Sequence, residues 1–285
     1  MVTALIDGDI LAYEVGFGSQ HKTYKAEDGT SYESKRDAAV DGANVDTLTE
    51  MIHAESVGYA RSLMRDKING ILEATKATDF KLYLTGNGNF RDNVATILRY
   101  KGERDPNGRP AHYQMLRDYM MSKYNGIVVE GFEADDALAI EATQDVDNTV
   151  ICTRDKDLRQ IEGYHYSWQA HNQEEKPVEF ITELEGWRNL STQMLTGDNV
   201  DNILGVVGIG PAKAAKALQG CSTKEEFNEA VLDAYNNVYG NVAYSNGLVH
   251  YVSWDGRLMW KTPQEIAREN YLLLRMLTEK KWLNL

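Results

Sequence analysis

Residues 2–9 read VTALIDGD, a short apolar run that ends at an Asp-Gly-Asp turn. A run of this length, stopped by turn residues, predicts a buried strand at residues 2–6. The sequence contains more runs of the same kind, and we expect a strand at each: 80–84, 127–129 and 149–152. Because no basic segment precedes the first run, we interpret it as the first strand of the fold and not as a signal peptide.

Between these runs, apolar residues recur at the spacing of an amphipathic helix. The predicted helical segments are 49–77, a polar and basic stretch at 88–124, 134–143, and most of the chain from Gly186 onward. Exposed hairpins are expected at residues 20–35 and at 164–170 paired with 177–181. Strands that alternate with helices predict an α/β fold with a mixed, largely parallel central sheet flanked by helices.

The composition fits a folded protein with a large core. The chain has 285 residues, of which 42% are apolar. We divide it into an α/β core at 1–185 and a helical C-terminal lobe at 186–285. No apolar run approaches the roughly 20 residues needed to cross a bilayer, so no membrane partner is expected. Because Cys152 and Cys221 form no disulfide framework, we expect a reducing, cytoplasmic location.

The formal net charge of −13 argues against a nucleic-acid partner, since Lys and Arg bind a polyanion. The objection weakens once the charges are located. Acids gather beside the ends of predicted strands, where open parallel sheets bind their ligands. Asp7 ends the first strand, and three acidic segments follow later: Glu133, Asp135 and Asp136; Asp155 and Asp157; Asp198 and Asp201.

Each acidic segment alone has an ordinary explanation. The first begins a predicted helix, where the helix dipole favours acids. The second follows a strand, and a spacing of two directs both side chains to one side of an extended chain. The third has a spacing of three, which places both side chains on one face of a helical turn. A helix cap or a solvated loop would account for any one of them.

Taken together, the acidic segments predict a metal site. Two carboxylates roughly 4 Å apart repel each other by about 4 kcal/mol at an effective dielectric constant of about 20. Bound cations remove that repulsion, and oxygen ligands without a His or Cys cluster favour Mg²⁺ or Mn²⁺ over Zn²⁺. Two such ions can activate a water and stabilise the leaving oxygen in phosphodiester hydrolysis. No organic cofactor is expected.

Two stretches concentrate basic residues. In GVVGIGPAKAAKAL, residues 205–218, a tight turn at Gly208 and Gly210 precedes Lys213 and Lys216, which predicts a hairpin that grips a phosphate backbone. An ordinary glycine-rich helix connection is the alternative. The second stretch, RYKGERDPNGRP at 99–110, mixes four basic residues with Tyr100, which suits a substrate with unstacked bases or a solvated loop.

The order of five motifs resembles that of the flap endonuclease / 5′–3′ exonuclease family. The motifs are LIDG at 5–8, YKGER at 100–104, EADD at 133–136, DKD at 155–157, and GDNVDN at 197–202 followed by GIG at 208–210. The size and the lack of a polymerase region are similar to stand-alone bacteriophage members. The resemblance covers about residues 1–220 and implies a PIN-like 5′ nuclease core, a helical arch or clamp at 88–124, and a helix–three-turn–helix motif at 190–220.

The resemblance also implies roles for single residues. The first metal ion would be held by Asp7, Glu133, Asp135 and Asp136, and the second by Asp155, Asp157, Asp198 and Asp201. Lys101 would position the scissile phosphate, Arg104 would steady it, and Tyr100 would stack on a base near the cut. The residues expected to contact DNA are Tyr100, Arg91, Gly208, Gly210, Lys213 and Lys216. Carbonyls of the Gly208–Gly210 turn would also accommodate a K⁺ ion.

One position departs from the family pattern. The family carries an Asp after the second strand, before a Phe/Trp-Arg pair, and this chain has Asn87 there, ahead of Phe90 and Arg91. Asn keeps a carbonyl oxygen and loses the charge. The departure puts the metal-binding role of Asn87 in doubt and leaves the expected fold unchanged.

These implications predict a 5′–3′ exonuclease and structure-specific 5′ flap endonuclease, acting on DNA with a 5′ end, flap or nick, or on an RNA–DNA hybrid. The expected setting is phage DNA replication and primer removal in the host cytoplasm. Two alternatives stay open: a PIN-type ribonuclease, which would lack the glycine turn, and a non-catalytic DNA-structure-binding protein. Cleavage of RNA against flapped DNA separates the first, and a metal titration separates the second. The sequence predicts no oligomeric state.

Overall fold

The computed structural model describes residues 2–103, 108–169, 176–241 and 247–279. Its strands are β1 (Thr3–Asp7), β2 (Gln20–Lys25), β3 (Ser31–Tyr32), β4 (Thr49–Ala54), β5 (Asp79–Thr85), β6 (Ile127–Val129), β7 (Thr149–Cys152), β8 (Gly163–Tyr166), β9 (Glu179–Ile181), β10 (Gly197–Asp198), β11 (Ile203–Leu204), β12 (Val249–Val252) and β13 (Leu258–Lys261). Its α-helices are α1 (Gly8–Gly18), α2 (Lys35–Val40), α3 (Val57–Thr75), α4 (Phe90–Val94), α5 (Tyr113–Tyr124), α6 (Ala134–Gln144), α7 (Glu183–Thr196), α8 (Pro211–Ala217), α9 (Lys224–Tyr239) and α10 (Pro263–Leu274). Short 3₁₀ helices span Val45–Thr47 and Lys156–Gln160.

Six strands form the central sheet, in the order β6-β5-β1-β7-β8-β9. β1 pairs in parallel with β5 on one side and with β7 on the other, and β9 runs antiparallel to β8. The predicted mixed, largely parallel sheet is therefore confirmed. Because the chain builds the sheet outward from both sides of β1, the carboxyl end of β1 is the position where open α/β sheets bind ligands.

Side chains of the central strands alternate between two buried layers. Ala4 and Ile6 pack in the layer formed with α1, α3 and α5, whereas Leu5 packs in the layer formed with α6. Helices thus cover both faces, as parallel sheets require. A third cluster joins α7, α9 and α10 around Phe227 and Tyr235, neither of which has exposed surface.

The helix predicted at 49–77 needs correction, because it begins only at Val57. Residues 49–54 form β4, which pairs with β2 in a separate three-stranded sheet that also contains β3. The Ser56 hydroxyl oxygen accepts a hydrogen bond from the Tyr59 N–H at 3.2 Å and fixes the helix start. The hairpin predicted at 20–35 therefore has a third strand that its own sequence does not indicate.

The segment predicted as mostly helical at 88–124 is helical only in α4 and α5, as far as the chain is described. Residues 95–103 are held in a non-helical path by the C-terminal region. The Glu269 carboxylate accepts hydrogen bonds from the N–H groups of Thr96 at 2.7 Å and Ile97 at 2.9 Å. The Lys101 N–H donates to the Asp201 carbonyl at 3.0 Å. These contacts outweigh the local helical preference.

The described residues of the C-terminal region include the helices α7 to α10 and two short antiparallel strand pairs that the sequence did not predict. β10 pairs with β11, and β12 pairs with β13. The late hairpin predicted in the core is present, as β8 and β9. No helix in the described ranges combines the length and apolar character needed to cross a bilayer.

Candidate functional site

A cavity of about 630 Å³ opens at the carboxyl end of the central sheet, where β1 and β7 end and α6 begins. Carboxylates from four separate parts of the chain line it: Asp7, Asp9, Glu133, Asp135, Asp155, Asp157, Asp198 and Asp201. Seven of these residues belong to the predicted metal set. The structure therefore brings distant acids to one pocket.

Asp7 lies at the centre of this arrangement, with only 1% of its surface exposed. It ends β1 and caps α1, so its two carboxylate oxygens accept hydrogen bonds from the Ile10 N–H at 3.0 Å and the Thr153 hydroxyl at 2.8 Å. Burial raises the pKa of Asp7 to about 7, against the effect of the Ile10 hydrogen bond and with help from the charge of Asp9. The site therefore stabilises the protonated form of this acid when no cation is near.

Three neighbouring acids share this property. Burial, followed by the charges of Asp7 and Asp155, raises the pKa of Asp135 well above its usual range. Burial also raises the pKa of Asp155, and burial together with the charge of Asp155 raises the pKa of Asp157 to about 7. The Asp135 carboxylate accepts no hydrogen bond from the described residues. The charge of Lys101 lowers the pKa values of Asp135 and Asp155, but by less than burial and the neighbouring carboxylates raise them.

The other acids are held by neighbouring side chains. Lys101 forms an ion pair with Glu133 and lies 3.7 Å from Asp201, and the Tyr100 hydroxyl donates to both carboxylates at 2.8 and 2.9 Å. Burial alone would raise the pKa of Glu133, but the charges of Lys101 and Arg91 outweigh it, and the pKa lies below its usual range. Asp198 pairs with Lys156 at 3.3 Å.

As placed, no group of three or more His, Cys, Asp or Glu side chains among the described residues could hold a metal ion. The donor set itself fits a hard divalent cation. It offers oxygen ligands with excess negative charge, and the residues that line the cavity include no His or Cys.

Two residues of the predicted site, Asp136 and Arg91, form a buried ion pair with each other, and of the two only Arg91 lines the cavity. Asp136 has no exposed surface and receives two hydrogen bonds from the Arg91 guanidinium, at 2.6 and 2.9 Å. Arg91 is 1% exposed and also donates to the carbonyls of Leu273 and Arg275, both at 2.9 Å. This buried bidentate ion pair occupies both groups and argues against the predicted metal role of Asp136 and the predicted DNA contact of Arg91.

Tyr100 and Asn87 also depart from expectation. Tyr100 lines the cavity but is only 6% exposed, which leaves its ring little surface for the predicted stacking on a base, and its hydroxyl lies 2.8 and 2.9 Å from carboxylate oxygens of Glu133 and Asp201. Asn87 is exposed and does not line the cavity. Its backbone N–H donates to Glu130 at 2.7 Å. Arg104 lies outside the described residues.

The acidic pairs Asp155/Asp157 and Asp198/Asp201 lie on backbone of a different conformation from the one that their spacing predicts. Asp155 precedes a 3₁₀ helix and accepts a hydrogen bond from the Asp157 N–H at 2.8 Å, so the predicted extended chain is wrong here. Asp198 lies in β10 and Asp201 in the turn that follows, so the predicted helical turn is also wrong. All four of these acids still line the cavity, because the chain turns after Asp155 and again after Asp198.

Sequence reasoning missed several lining residues. Asp9 accepts a hydrogen bond from the Thr85 N–H at 2.8 Å and forms an ion pair with Arg117, which also donates to the Thr85 carbonyl at 2.5 Å. The Asp-Gly-Asp spacing at residues 7–9 was a usable signal for Asp9. Arg117 lies on α5, where nothing in the local sequence marks it.

The predicted phosphate-binding turn lies outside the residues that line the cavity. Gly208, with a φ of +78°, adopts the left-handed backbone that favours glycine, and Gly208 and Gly210 are both exposed. Lys213 donates to the Gly208 carbonyl at 2.8 Å, and Lys216 is exposed on α8. An ammonium group thus occupies one of the carbonyls expected to hold K⁺.

The fold and the site define a class: an α/β protein whose carboxylate-lined cavity, at the switch point of its sheet, has the donor chemistry for hard divalent cations. The chain is similar to flap endonucleases and to DNA polymerase I, which confirms the resemblance of its motifs. It is 35% identical over 102 residues to DNA polymerase I of Rhizobium leguminosarum, a match that covers 33% of this chain and 10% of the relative. It is 30% identical over 129 residues to flap endonuclease Xni of Shewanella baltica strain OS155, covering 42% of this chain and 49% of the relative.

The matches thus span a tenth and about half of the length of these two relatives. No protein-family model matches the sequence. Among solved structures, the T5 D15 protein co-crystallized with metal ions aligns over 96% of this chain and 100% of its own, at 12% identity and a TM-score of 0.45.

Proposed function

We propose that this chain is a divalent-metal-dependent nuclease that hydrolyses DNA phosphodiesters from a 5′ end and at 5′ flaps, with a role in replication and primer removal. The observation that carries the proposal is the set of eight carboxylates on one cavity, four of which have raised pKa values. Such a site is unfavourable unless cations enter it. The similarity to flap endonuclease Xni of Shewanella baltica agrees with this chemistry.

The two halves of the cavity would hold one ion each. Asp7, Glu133 and Asp135 would serve the first, and Asp155, Asp157, Asp198 and Asp201 the second. Bound Mg²⁺ or Mn²⁺ would supply an activated water and stabilise the leaving oxygen. Glu133 and Asp201 would then leave Lys101, whose ammonium group becomes available to position the scissile phosphate.

Duplex DNA would be gripped away from the cavity. The exposed turn at Gly208 and Gly210, with Lys213 and Lys216, offers backbone N–H groups and two positive charges to a phosphate backbone. We interpret residues 190–220 as a helix–three-turn–helix motif and 186–285 as the lobe that carries it. A K⁺ ion at this turn would have to displace the Lys213 ammonium from the Gly208 carbonyl.

The test is a cleavage assay on a 5′-flapped duplex, labelled at each end in turn, with Mg²⁺ or with chelator. We expect short 5′-labelled products with Mg²⁺, none with chelator, and a loss of at least about 100-fold in rate for Asp135→Ala or Asp155→Ala. Asp147→Ala, which changes an exposed acid on the loop after α6, is the matched control. Near-normal cleavage by both site variants, or cleavage of RNA alone, would overturn the proposal.

A further inference from the structure

A second groove of about 520 Å³ opens off the main cavity, along the exposed face of α1. Five residues line it: Ile10, Tyr13, Glu14, Phe17 and Arg154. Ile10, Tyr13 and Arg154 also line the main cavity, so the two spaces are continuous. A polymer bound in the carboxylate site could therefore extend into this groove.

One wall of the groove is aromatic. Tyr13 and Phe17 are four residues apart on α1 and lie on the same helix face. Their ring centroids are 6.2 Å apart with an angle of 26° between the planes, and 36% of Tyr13 and 47% of Phe17 is exposed. Large rings with this much exposure offer stacking surface to an unpaired base.

The other wall carries the guanidinium of Arg154, whose direction is fixed by a hydrogen bond. Arg154 lies between Thr153, which bonds Asp7, and Asp155, and its Nη1 donates to Glu14 at 3.0 Å. The side chain of Arg154 is 39% exposed, and the rest of its guanidinium has no hydrogen-bond acceptor among the described residues. A half-exposed fork of free donors matches the geometry of a phosphate.

Glu14 fixes the direction of this guanidinium. Its side chain is 17% exposed and accepts hydrogen bonds from the Trp168 indole at 2.6 Å and from Lys67 at 2.5 Å, besides Arg154. One carboxylate thus faces two cations, so these three side chains together carry one positive charge.

We propose that Arg154, positioned by Glu14, binds a phosphate of a single DNA strand whose bases stack on Tyr13 and Phe17. The inference rests on the proposed function and names the strand that the site accepts. A duplex cannot use the groove, because paired bases are stacked on each other and not on protein rings. The groove therefore selects DNA with an unpaired segment at the site.

The test measures binding in chelator, so that it does not depend on cleavage. Two labelled DNAs are compared, a blunt duplex and the same duplex with a single-stranded 5′ overhang. We expect Arg154→Ala to weaken overhang binding by about tenfold and to reduce the slope of log affinity against log salt by about 0.7. Arg65→Ala removes an exposed, ion-paired arginine of α3 and should change neither quantity.

Further variants distinguish the phosphate contact of Arg154 from the orientation of its guanidinium by Glu14. Arg154→Lys should recover part of the affinity. Glu14→Gln should weaken overhang binding by about threefold while the salt slope stays unchanged, because the cation is kept and only its orientation is lost. Phe17→Ala should weaken overhang binding by about fivefold and leave the blunt duplex unaffected.

The outcomes distinguish the two proposals. If the wild type binds both DNAs and Arg154→Ala behaves like it, or weakens both DNAs equally, the groove does not bind a single strand, and the proposed function stands. If the wild type binds neither DNA in chelator, the inference fails, whereas the proposed function is decided by the cleavage assay with Mg²⁺.

Discussion

At the residue scale, the acids of the cavity differ in whether the protein supplies them with a partner. Glu133 and Asp201 face Lys101 and Tyr100, whereas Asp135 faces other carboxylates. The ion pair between Lys101 and Glu133 is present without a metal ion. Asp135 gains a partner only when a cation enters, so it reports most directly on metal binding.

Asp135→Asn should therefore stabilise the metal-free protein while it abolishes activity. The change removes a charge that Asp7 and Asp155 repel, and we expect a gain of roughly 1 kcal/mol in the free energy of unfolding at pH 8 in chelator. Cleavage should fall at the same time by at least about 100-fold. Urea denaturation and the flap assay measure the two effects. A destabilised variant would show that Asp135 is held by the protein and not reserved for a cation.

The raised pKa values predict how the stability of the metal-free protein depends on pH. The pKa values of Asp7 and Asp157 are about 7 in the folded state, against about 3.9 for an unfolded Asp. The folded state therefore holds more protons between these values, and the contribution of both acids is lost as the pH rises from about 4 through 7.

Thermal denaturation in chelator should show the melting temperature falling between pH 5.5 and 8, and added Mg²⁺ should restore most of it at pH 8. Asp7→Asn should flatten the dependence, and Asp147→Asn should leave it unchanged. A melting temperature that rises over this range in chelator would contradict the assignment.

The sequence located most of the site because motifs identify residues without identifying their contacts. Seven of the eight predicted metal residues line the cavity. Asp136 shares its motif with Asp135, and only the packing of Arg91 against it shows that it turns inward. The burial of Tyr100 could not be predicted for the same reason, since it depends on packing in the cluster of C-terminal helices and not on the neighbours of Tyr100 in the chain.

At the scale of elements, the strands of the central sheet were predictable and their surroundings were not. Runs such as 149–152 are buried on both faces and read directly as strands. β4 could not be recognised, because its partner β2 lies about thirty residues earlier and its side chains are exposed. Hairpin β12–β13 was missed since its pattern has no strong apolar run.

A close contact between elements fixes the chain beside the cavity. Pro110 packs against α1 at Gly16, where an added Cβ would lie 2.4 Å from the Pro110 ring. Just beyond it, the Ala111 N–H donates to Gln20 at 2.8 Å. Gly16 is thus needed to bring α5, with Tyr113 and Arg117, up to the site.

Gly16→Ala should destabilise the protein by about 1–3 kcal/mol, because the contact leaves no room for a methyl group. Gly70→Ala in α3 is the matched control. No atom lies within 4 Å of its added Cβ, and we expect a gain of about 0.5–1 kcal/mol from the better helix former. Equal effects of the two changes on urea unfolding would remove the proposed role of Gly16.

At the scale of the whole molecule, the site is shared between the sheet and the C-terminal helices. Asp7, Asp135 and Asp155 come from the sheet side, and Asp198 and Asp201 follow α7. The two predicted domains, 1–185 and 186–285, therefore complete one cavity. An interaction between the two domains is therefore needed to keep their acids at the same cavity.

The Arg91–Asp136 pair provides that link. Arg91 lies on α4, directly after β5 of the sheet, and donates hydrogen bonds to the carbonyls of Leu273 and Arg275 at the end of α10. Asp136 accepts a hydrogen bond from the Leu277 N–H at 2.9 Å. Removal of one partner leaves a buried charge and unpaired backbone groups. Such losses cost about 3–5 kcal/mol, a large part of the stability of an average domain.

Arg91→Ala should therefore lower the free energy of unfolding by about 3–5 kcal/mol, and Asp136→Asn by a smaller amount because the amide keeps an acceptor. Both variants, where still folded at low temperature, should bind overhang DNA with affinity close to the wild type, since Asp136 has no exposed surface and Arg91 only 1%. Urea denaturation and the chelator binding assay measure the two quantities. If Arg91→Ala kept its stability and lost DNA affinity, Arg91 would be a DNA contact after all, and another interaction would have to hold the C-terminal helices on the sheet.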